Sequence, residues 1–127
     1  MIGVGIGCRA GTAARQIEDA LGEALRIYGQ TEAKITIIGT IDFKCREPGL
    51  LAFADQQTVE LVGYTAEQLR AVSDRLLTTS PRVEEATDAP SVAEAAALLT
   101  AGTGAALLGP RIARDGVTCA LARGIPT

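Results

Sequence analysis

The stretch Gly3-Val-Gly-Ile-Gly-Cys-Arg-Ala-Gly-Thr12 leaves this chain few ways to fold. Val4 and Ile6 are β-branched and apolar, so its first half reads as a buried strand. Gly7 and Gly11 then allow a tight backbone path that residues with a Cβ rarely follow. Thr12 is placed to cap a helix, its hydroxyl accepting an orphan N–H. A strand that stops in glycines and passes into a helix N-terminus is a natural seat for an anion. Between the glycines stand a thiol, Cys8, and a fixed positive charge, Arg9.

The elements that follow alternate. A helix is expected from Thr12 to about Tyr28, with Ala14, Ile17, Leu21, Leu25 and Tyr28 on one stripe and Gly29 ending it in the left-handed region. Lys34–Ile41 reads as a strand, and its Ile37-Ile38 run fits burial on both faces. The charged loop Asp42-Phe-Lys-Cys-Arg-Glu-Pro-Gly49 leads into a short helix over Leu50–Asp55, with Pro48 in its first turn. Thr58–Tyr64 is a third strand, and Thr65-Ala-Glu-Gln68 has the spacing of a capping box. Thr78–Pro90 reads as a loop, with a short turn at Val83–Ala86. Ser91-Val-Ala-Glu94 is a second capping box, opening an alanine-rich helix that ends near Gly102. Ala105–Gly109 and Val117–Leu121 read as an antiparallel pair joined by Pro110–Gly116. The expected class is α/β: three layers, with a mixed, mostly parallel sheet of about five strands and a C-terminal β-hairpin. Residues 1–127 are expected to form one domain.

Composition narrows the chemistry. Of 127 residues, 47% are apolar but only 3% aromatic, so the core must be built from Ala, Val, Leu and Ile. The net charge of −3 argues against nucleic-acid binding, which needs a basic surface and, for single strands, aromatic platforms. With no His in the chain, the commonest general base and metal ligand are missing. Three cysteines, Cys8, Cys45 and Cys119, stand far apart and form no CxxC, which reads as a reduced, cytoplasmic protein without a zinc site. No basic leader and no apolar run of about 20 residues is seen, so neither export nor a membrane partner is expected. No cofactor is expected either.

On a sheet of this kind, ligands bind beyond the carboxyl ends of the strands. The turn carrying Gly7, Cys8, Arg9, Gly11 and Thr12 and the loop carrying Asp42, Lys44 and Glu47 both follow strands directly, so they should share that edge with the mouth of the Ser91 helix. Each residue has a plainer account beside the functional one. Cys8 is either a thiol activated by Arg9 and a helix mouth or a small buried side chain. Arg9 either grips a carboxylate or phosphate or pairs with Asp42 or Glu47. Asp42, Lys44 and Glu47 are an acid–base group or a solvated loop, and capping alone would explain Ser91 and Glu94. Gly5-x-Gly7-x-x-Ala10 matches a loose dinucleotide fingerprint, but the chain is too short for a second nucleotide-binding half.

Four motifs in register carry a resemblance over essentially the whole chain. They are Gly5-Ile-Gly-Cys-Arg-Ala-Gly-Thr12, Thr40-Ile-Asp-Phe-Lys-Cys-Arg-Glu-Pro-Gly-Leu50, Pro90-Ser-Val-Ala-Glu-Ala-Ala-Ala-Leu98, and the tail Leu108-Gly-Pro-Arg111 with Thr118-Cys-Ala-Leu-Ala-Arg123. Together they resemble the CobE/CbiG C-terminal domain family of cobalamin biosynthesis, in its stand-alone CobE-like form. The family often has Lys where this chain has Arg111, which keeps the charge and changes its geometry. The resemblance implies a role in building the corrin ring, and the reading of the residues fits it: a protein that binds an acidic corrin-ring intermediate, with Gly7, Cys8, Arg9, Gly11, Thr12, Asp42, Lys44, Glu47 and Ser91 around it. If there is catalysis, it implies the lactone opening of a cobalt-precorrin-5A hydrolase. The alternatives are a module that docks on another corrin-pathway enzyme and a nucleotide-binding domain.

Overall fold

Strand β1 (Ile2–Cys8) carries two kinds of side chain, and the two layers packed on the sheet follow from them. The structure is a computed structural model that describes residues 2–77 and 91–124. After β1 come α1 (Ala14–Ile27), β2 (Ile37–Ile41), a 3-10 turn (Asp42–Lys44), α2 (Pro48–Gln57), β3 (Glu60–Tyr64), α3 (Ala66–Arg70) and a second 3-10 turn (Ser73–Arg75). Beyond residue 90 lie α4 (Val92–Ala101), β4 (Ala106–Leu107), β5 (Ile112–Arg114) and β6 (Val117–Arg123).

On one face of β1, Val4 and Ile6 join Ile38 and the inward side chains of β6, Val117, Cys119 and Leu121. This surface packs against Ile17, Ala20 and Ala24 of α1 and Leu50 and Phe53 of α2. The other face of β1 shows Gly3, Gly5 and Gly7, and α4 lies along it. A Cβ on Gly3 would stand 2.5 Å from the Ala101 nitrogen and 2.7 Å from the Ala97 carbonyl oxygen. One on Gly5 would run into the Ala93 carbonyl. Ala93, Ala97 and Ala101 are four residues apart and so share one helix face. The helix can therefore lie almost directly on the strand backbone. On β2, a Cβ on Gly39 would meet the Thr100 hydroxyl and the Tyr64 ring before the Ala96 carbonyl.

The sheet order is β3-β2-β1-β6-β4, with β5 also paired to β6. β1, β2 and β3 are parallel, with Val4 opposite Ile38 and Ile38 opposite Leu61. β6 runs antiparallel to β1 over its whole length, from Ile2 opposite Arg123 to Cys8 opposite Val117. The expected antiparallel ending is therefore present, but it has six strands in the sheet instead of five. β4 and β5 are two pieces of one edge strand, split at Leu108-Gly-Pro-Arg111. The stretch expected to be a plain loop, Pro110–Gly116, contains β5 and a two-residue hairpin turn. Asp115 and Gly116 both have positive φ, 51° and 80°, as a type I′ turn requires. The bulge between β4 and β5 is held from both faces. The Tyr28 phenol donates to the Pro110 carbonyl at 2.5 Å, and the buried Glu94 carboxylate accepts the Arg111 N–H at 3.1 Å.

Several boundaries follow local chemistry. Gly29 ends α1 with φ +66°, Pro48 opens α2, and Thr65 and Gln68 form a complete capping box at α3. β2 and β3 are shorter than expected. Ile37 is the first ladder residue of β2, and Thr58 closes α2 in the left-handed region before β3 begins. The expected Ser91 box is absent. Ser91 sits at φ 17°, ψ 87°, its hydroxyl makes no capping bond, and Glu94 turns to Arg111 instead. The loop expected at Thr78–Pro90 lies outside the described residues. No helix among the described residues is long and apolar enough to cross a membrane.

The seam between β1 and α4 predicts an asymmetry between glycines. Gly5→Ala should destabilise the protein by about 3 kcal/mol or more, because the added methyl meets backbone rather than a movable side chain. Gly22→Ala, in α1 with nothing within 4 Å, should stabilise it by about 1 kcal/mol through helix propensity. Urea denaturation of the two variants beside the parent protein checks both signs.

Cys119 makes a pH prediction. It is fully buried, and burial pushes its thiol from 9.0 up to about 12. Between those values the unfolded chain loses this proton and the folded chain keeps it, so stability falls as pH rises. The slope approaches about 1.4 kcal/mol per pH unit. Denaturation midpoints at pH 8 and pH 10.5 should converge more in Cys119→Ala than in the parent.

Candidate functional site

At the carboxyl end of β1 the chain turns back on itself before it enters α1. The Thr12 N–H and the Thr12 hydroxyl both donate to the Arg9 carbonyl, at 3.2 and 2.7 Å. Gly11 takes φ +84° to allow this. Thr12 is therefore not the cap of α1, as its position had implied. Its hydroxyl is spent inside the turn, Ala13 is the N-cap, and the Gln16 side-chain oxygen accepts the Ala13 N–H at 2.7 Å. The Gln16 amide donates in turn to the Asp115 carbonyl at 3.3 Å, tying α1 to the β5–β6 turn.

The loop after β2 reaches the same place. The Gly11 N–H donates to Glu47 Oε1 at 2.7 Å, a charge-assisted bond between segments 36 residues apart. Gly49 passes so close to the Thr12 carbonyl that no Cβ would fit between them. The backbone donor expected to receive an external anion thus already holds a carboxylate of the protein. Around this joint, Arg9 and Asp42 are exposed and Lys44 and Glu47 half-buried. Among the described residues neither Arg9 nor Lys44 has an ion-pair partner. The anticipated pairing of Arg9 with Asp42 or Glu47 is not made.

β6 brings a third segment to this edge. Because it runs opposite to β1, its first residues lie beside Gly7 and Cys8, and Thr118 Oγ1 donates to the Gly7 carbonyl at 3.3 Å. A cleft of about 440 Å³ opens here, lined by Arg9, Arg114, Asp115, Gly116 and Thr118 among others. Arg114 is already engaged by Glu23 at 3.3 Å and by Asp115 at 3.8 Å. The N-terminus of α4 comes to the same edge, with Val92 against Gly7. Ser91 there is fully buried, and its hydroxyl has no hydrogen-bond partner among the described residues.

Cys8 lies at the end of β1, on the same edge. It is half-buried, and burial raises its thiol above the ordinary value. The Lys44 ammonium pulls the other way, and the Glu47 carboxylate pushes it further up. Activation by a helix mouth fails on geometry: Cys8 ends a strand, and α1 starts six residues later. Cys45 is likewise raised, by burial and by Asp42. The structure thus collects Gly7, Cys8, Arg9, Gly11, Thr12, Asp42, Lys44, Glu47 and Ser91 at one end of the sheet, beside Arg114, Asp115 and Thr118, which the sequence reading left out. Asp115-Gly116 is a known hairpin dipeptide and could have flagged that turn. Placing the turn beside Arg9 needed the pairing of β6 with β1. Gly5 and Gly7, which suggested a dinucleotide fingerprint, lie within β1; the close approach of α4 accounts for Gly5 and the Thr118 hydroxyl for Gly7.

Comparison with known proteins agrees with this architecture. The crystal structure of CobE, described as a protein from the cobalamin (vitamin B12) biosynthetic pathway, superposes with a TM-score of 0.91 at 35% identity, covering 98% of this chain and 91% of that one. The cobalamin biosynthesis protein chiG from Agrobacterium tumefaciens gives 0.76 at 32% identity, over 99% of this chain and all of the other. In sequence, the Protein CobE of a Sinorhizobium species is 33% identical over 119 residues, 94% of this chain and 77% of its own length. The cobalt-precorrin-5A hydrolase of Priestia megaterium is 31% identical over 102 residues, 80% of this chain but about a quarter of the longer protein, 27%. The family profile described as "Cobalamin synthesis G C-terminus" matches residues 2–122. The chain belongs to this family of cobalamin biosynthesis proteins.

Proposed function

We propose that this protein binds an acidic corrin-ring intermediate at the carboxyl edge of its sheet, through the side chains that rim the Gly11 turn. One observation carries the reading: a backbone amide that already holds a carboxylate, Gly11 to Glu47, lies on the edge that also carries Arg9 and Lys44, cations without ion-pair partners among the described residues. Corrin intermediates carry acetate and propionate groups around their rim, and cations without partners of their own are the chemistry that grips them. The chain as a whole carries a net charge of −3, so the attraction for an acidic ligand comes from Arg9 and Lys44 in particular and not from the overall charge. The relative that is named a cobalt-precorrin-5A hydrolase supports the substrate class. The role assigned to this chain is to hold and orient the ring, since its thiols are kept protonated by burial and it has no His to serve as base.

An absorbance titration with precorrin intermediates and hydrogenobyrinic acid tests the reading. Loss of one charge-assisted hydrogen bond costs about 1.5–3 kcal/mol, so Arg9→Ala and Lys44→Ala should each weaken binding about tenfold or more. Arg26→Ala, on the exposed face of α1, should bind as the parent does. If no intermediate binds at micromolar protein, a module docking on another pathway enzyme becomes the better reading.

A second test concerns the thiol nearest the site. Cys8→Ser should support cobalamin-dependent growth at close to the parent rate. Complete loss in a well-folded variant would bring covalent catalysis back.

A further inference from the structure

The fold leaves one aromatic side chain, Phe43, without structural work. The chain has two Phe, two Tyr and no Trp. Three of these four aromatic side chains have structural work. Phe53 is 1% exposed between α1 and the sheet. The Tyr28 phenol donates to the Pro110 carbonyl, and the Tyr64 phenol lies 3.1 Å from the Thr100 hydroxyl. Phe43 is 62% exposed, the most exposed of the large apolar side chains described.

The backbone that carries Phe43 is held firmly. Phe43 is the middle residue of the 3-10 turn, closed by the Cys45 N–H on the Asp42 carbonyl at 3.1 Å and followed by the Glu47 N–H on the Lys44 carbonyl at 3.0 Å. The turn lies against β3 at Gly63, where a Cβ would be 3.0 Å from the Asp42 Cα and 2.6 Å from the Cys45 sulfur. From this clamp the segment carries Lys44 and sends Glu47 to the Gly11 N–H. A solvated phenyl ring therefore stands directly before one of the cations of the proposed site, on a hydrogen-bonded turn packed against β3.

We propose that the face of Phe43 is the platform on which the macrocycle of the corrin intermediate rests, while Arg9 and Lys44 take carboxylates of its rim. This rests on the corrin-binding reading above. The match is chemical. A corrin ring is a broad, nearly flat, apolar surface edged with acids, and it needs an apolar face flanked by positive charge. An aromatic ring meets a flat π-system well, in offset or edge-to-face contact. Charge alone would not separate such a ligand from any small polyacid. Phe43 supplies that separation, because only a ligand with an extended apolar face gains from it.

The test is a titration of hydrogenobyrinic acid, followed by the shift of its visible absorption bands, with tricarballylate as a competitor that has carboxylates and no ring. Phe43→Ala should weaken hydrogenobyrinic acid binding five- to tenfold and leave the competing strength of tricarballylate unchanged. Phe43→Tyr should keep both the affinity and the band shift. Phe43→Leu should retain part of the affinity and lose the ring-dependent part of the shift, a signature that a purely structural role would not move. Circular dichroism and thermal midpoints near the parent's are expected for all three, since the ring is solvated. If the parent binds and Arg9→Ala weakens binding while all three Phe43 variants behave as the parent, the platform is wrong and the corrin site stands. If the parent does not bind hydrogenobyrinic acid or any precorrin, both fall.

Discussion

The close approach of α4 to the glycine face of β1 sets the dimensions of this protein. Gly3 and Gly5 meet Ala93, Ala97 and Ala101, Val92 stands over Gly7, and Gly39 continues the contact onto β2 against Thr100 and Ala96. Dispersion falls steeply with distance, so two backbones pressed together recover contacts that small side chains would otherwise forgo. This explains how a chain with so few aromatic residues closes a three-layer core. It also sets how low the N-terminus of α4 lies over the carboxyl edge, and so how near Val92 and Ser91 come to the Gly7 turn. The helix cannot be raised by a methyl group without lifting one wall of the edge.

The opposite face is packed more conventionally, and the division follows the pleat. Alternate residues of β1 and β6 go to different layers: Val4, Ile6, Cys119 and Leu121 to α1 and α2, and the glycines with Ala120 and Ala122 to α4. A shift of one residue in either strand would exchange the two sets and make both layers misfit. The long antiparallel register between β1 and β6 is therefore strongly determined, and it is what carries the β5–β6 turn to Arg9.

Features governed by adjacent residues could be read from the sequence. Gly29, Pro48 and the Thr65–Gln68 box each act within one turn of chain, and each does what its residue type favours. So does the strand at Val4 and Ile6. Readings failed where a distant partner competed for the same group. Thr12 has the right hydroxyl for a cap, but the tight turn uses it as a donor to Arg9. Ser91 and Glu94 have capping-box spacing, yet the Glu94 carboxylate goes to the backbone of Arg111, 17 residues away. The same limit applies to the site. Arg9, Lys44 and Glu47 could be gathered by reasoning about strand ends, whereas Arg114, Asp115 and Thr118 depended on where β6 would insert. Phe43 was visible as a residue, but its exposure is a property of the packed turn.

The bond between Glu47 and the Gly11 amide has one more consequence. A carboxylate from solution reaches that amide only by displacing one that is tethered beside it. A tethered group competes at an effective concentration on the order of millimolar. Simple acids dilute in solution therefore leave the internal contact in place, and chloride or acetate gains little there. A molecule that binds this edge through several anchors at once meets a lower threshold, because its acid groups also arrive tethered to one another. The resident glutamate thus acts as a filter on valency: it discriminates by how many groups a ligand presents together, independently of how strongly any single one binds.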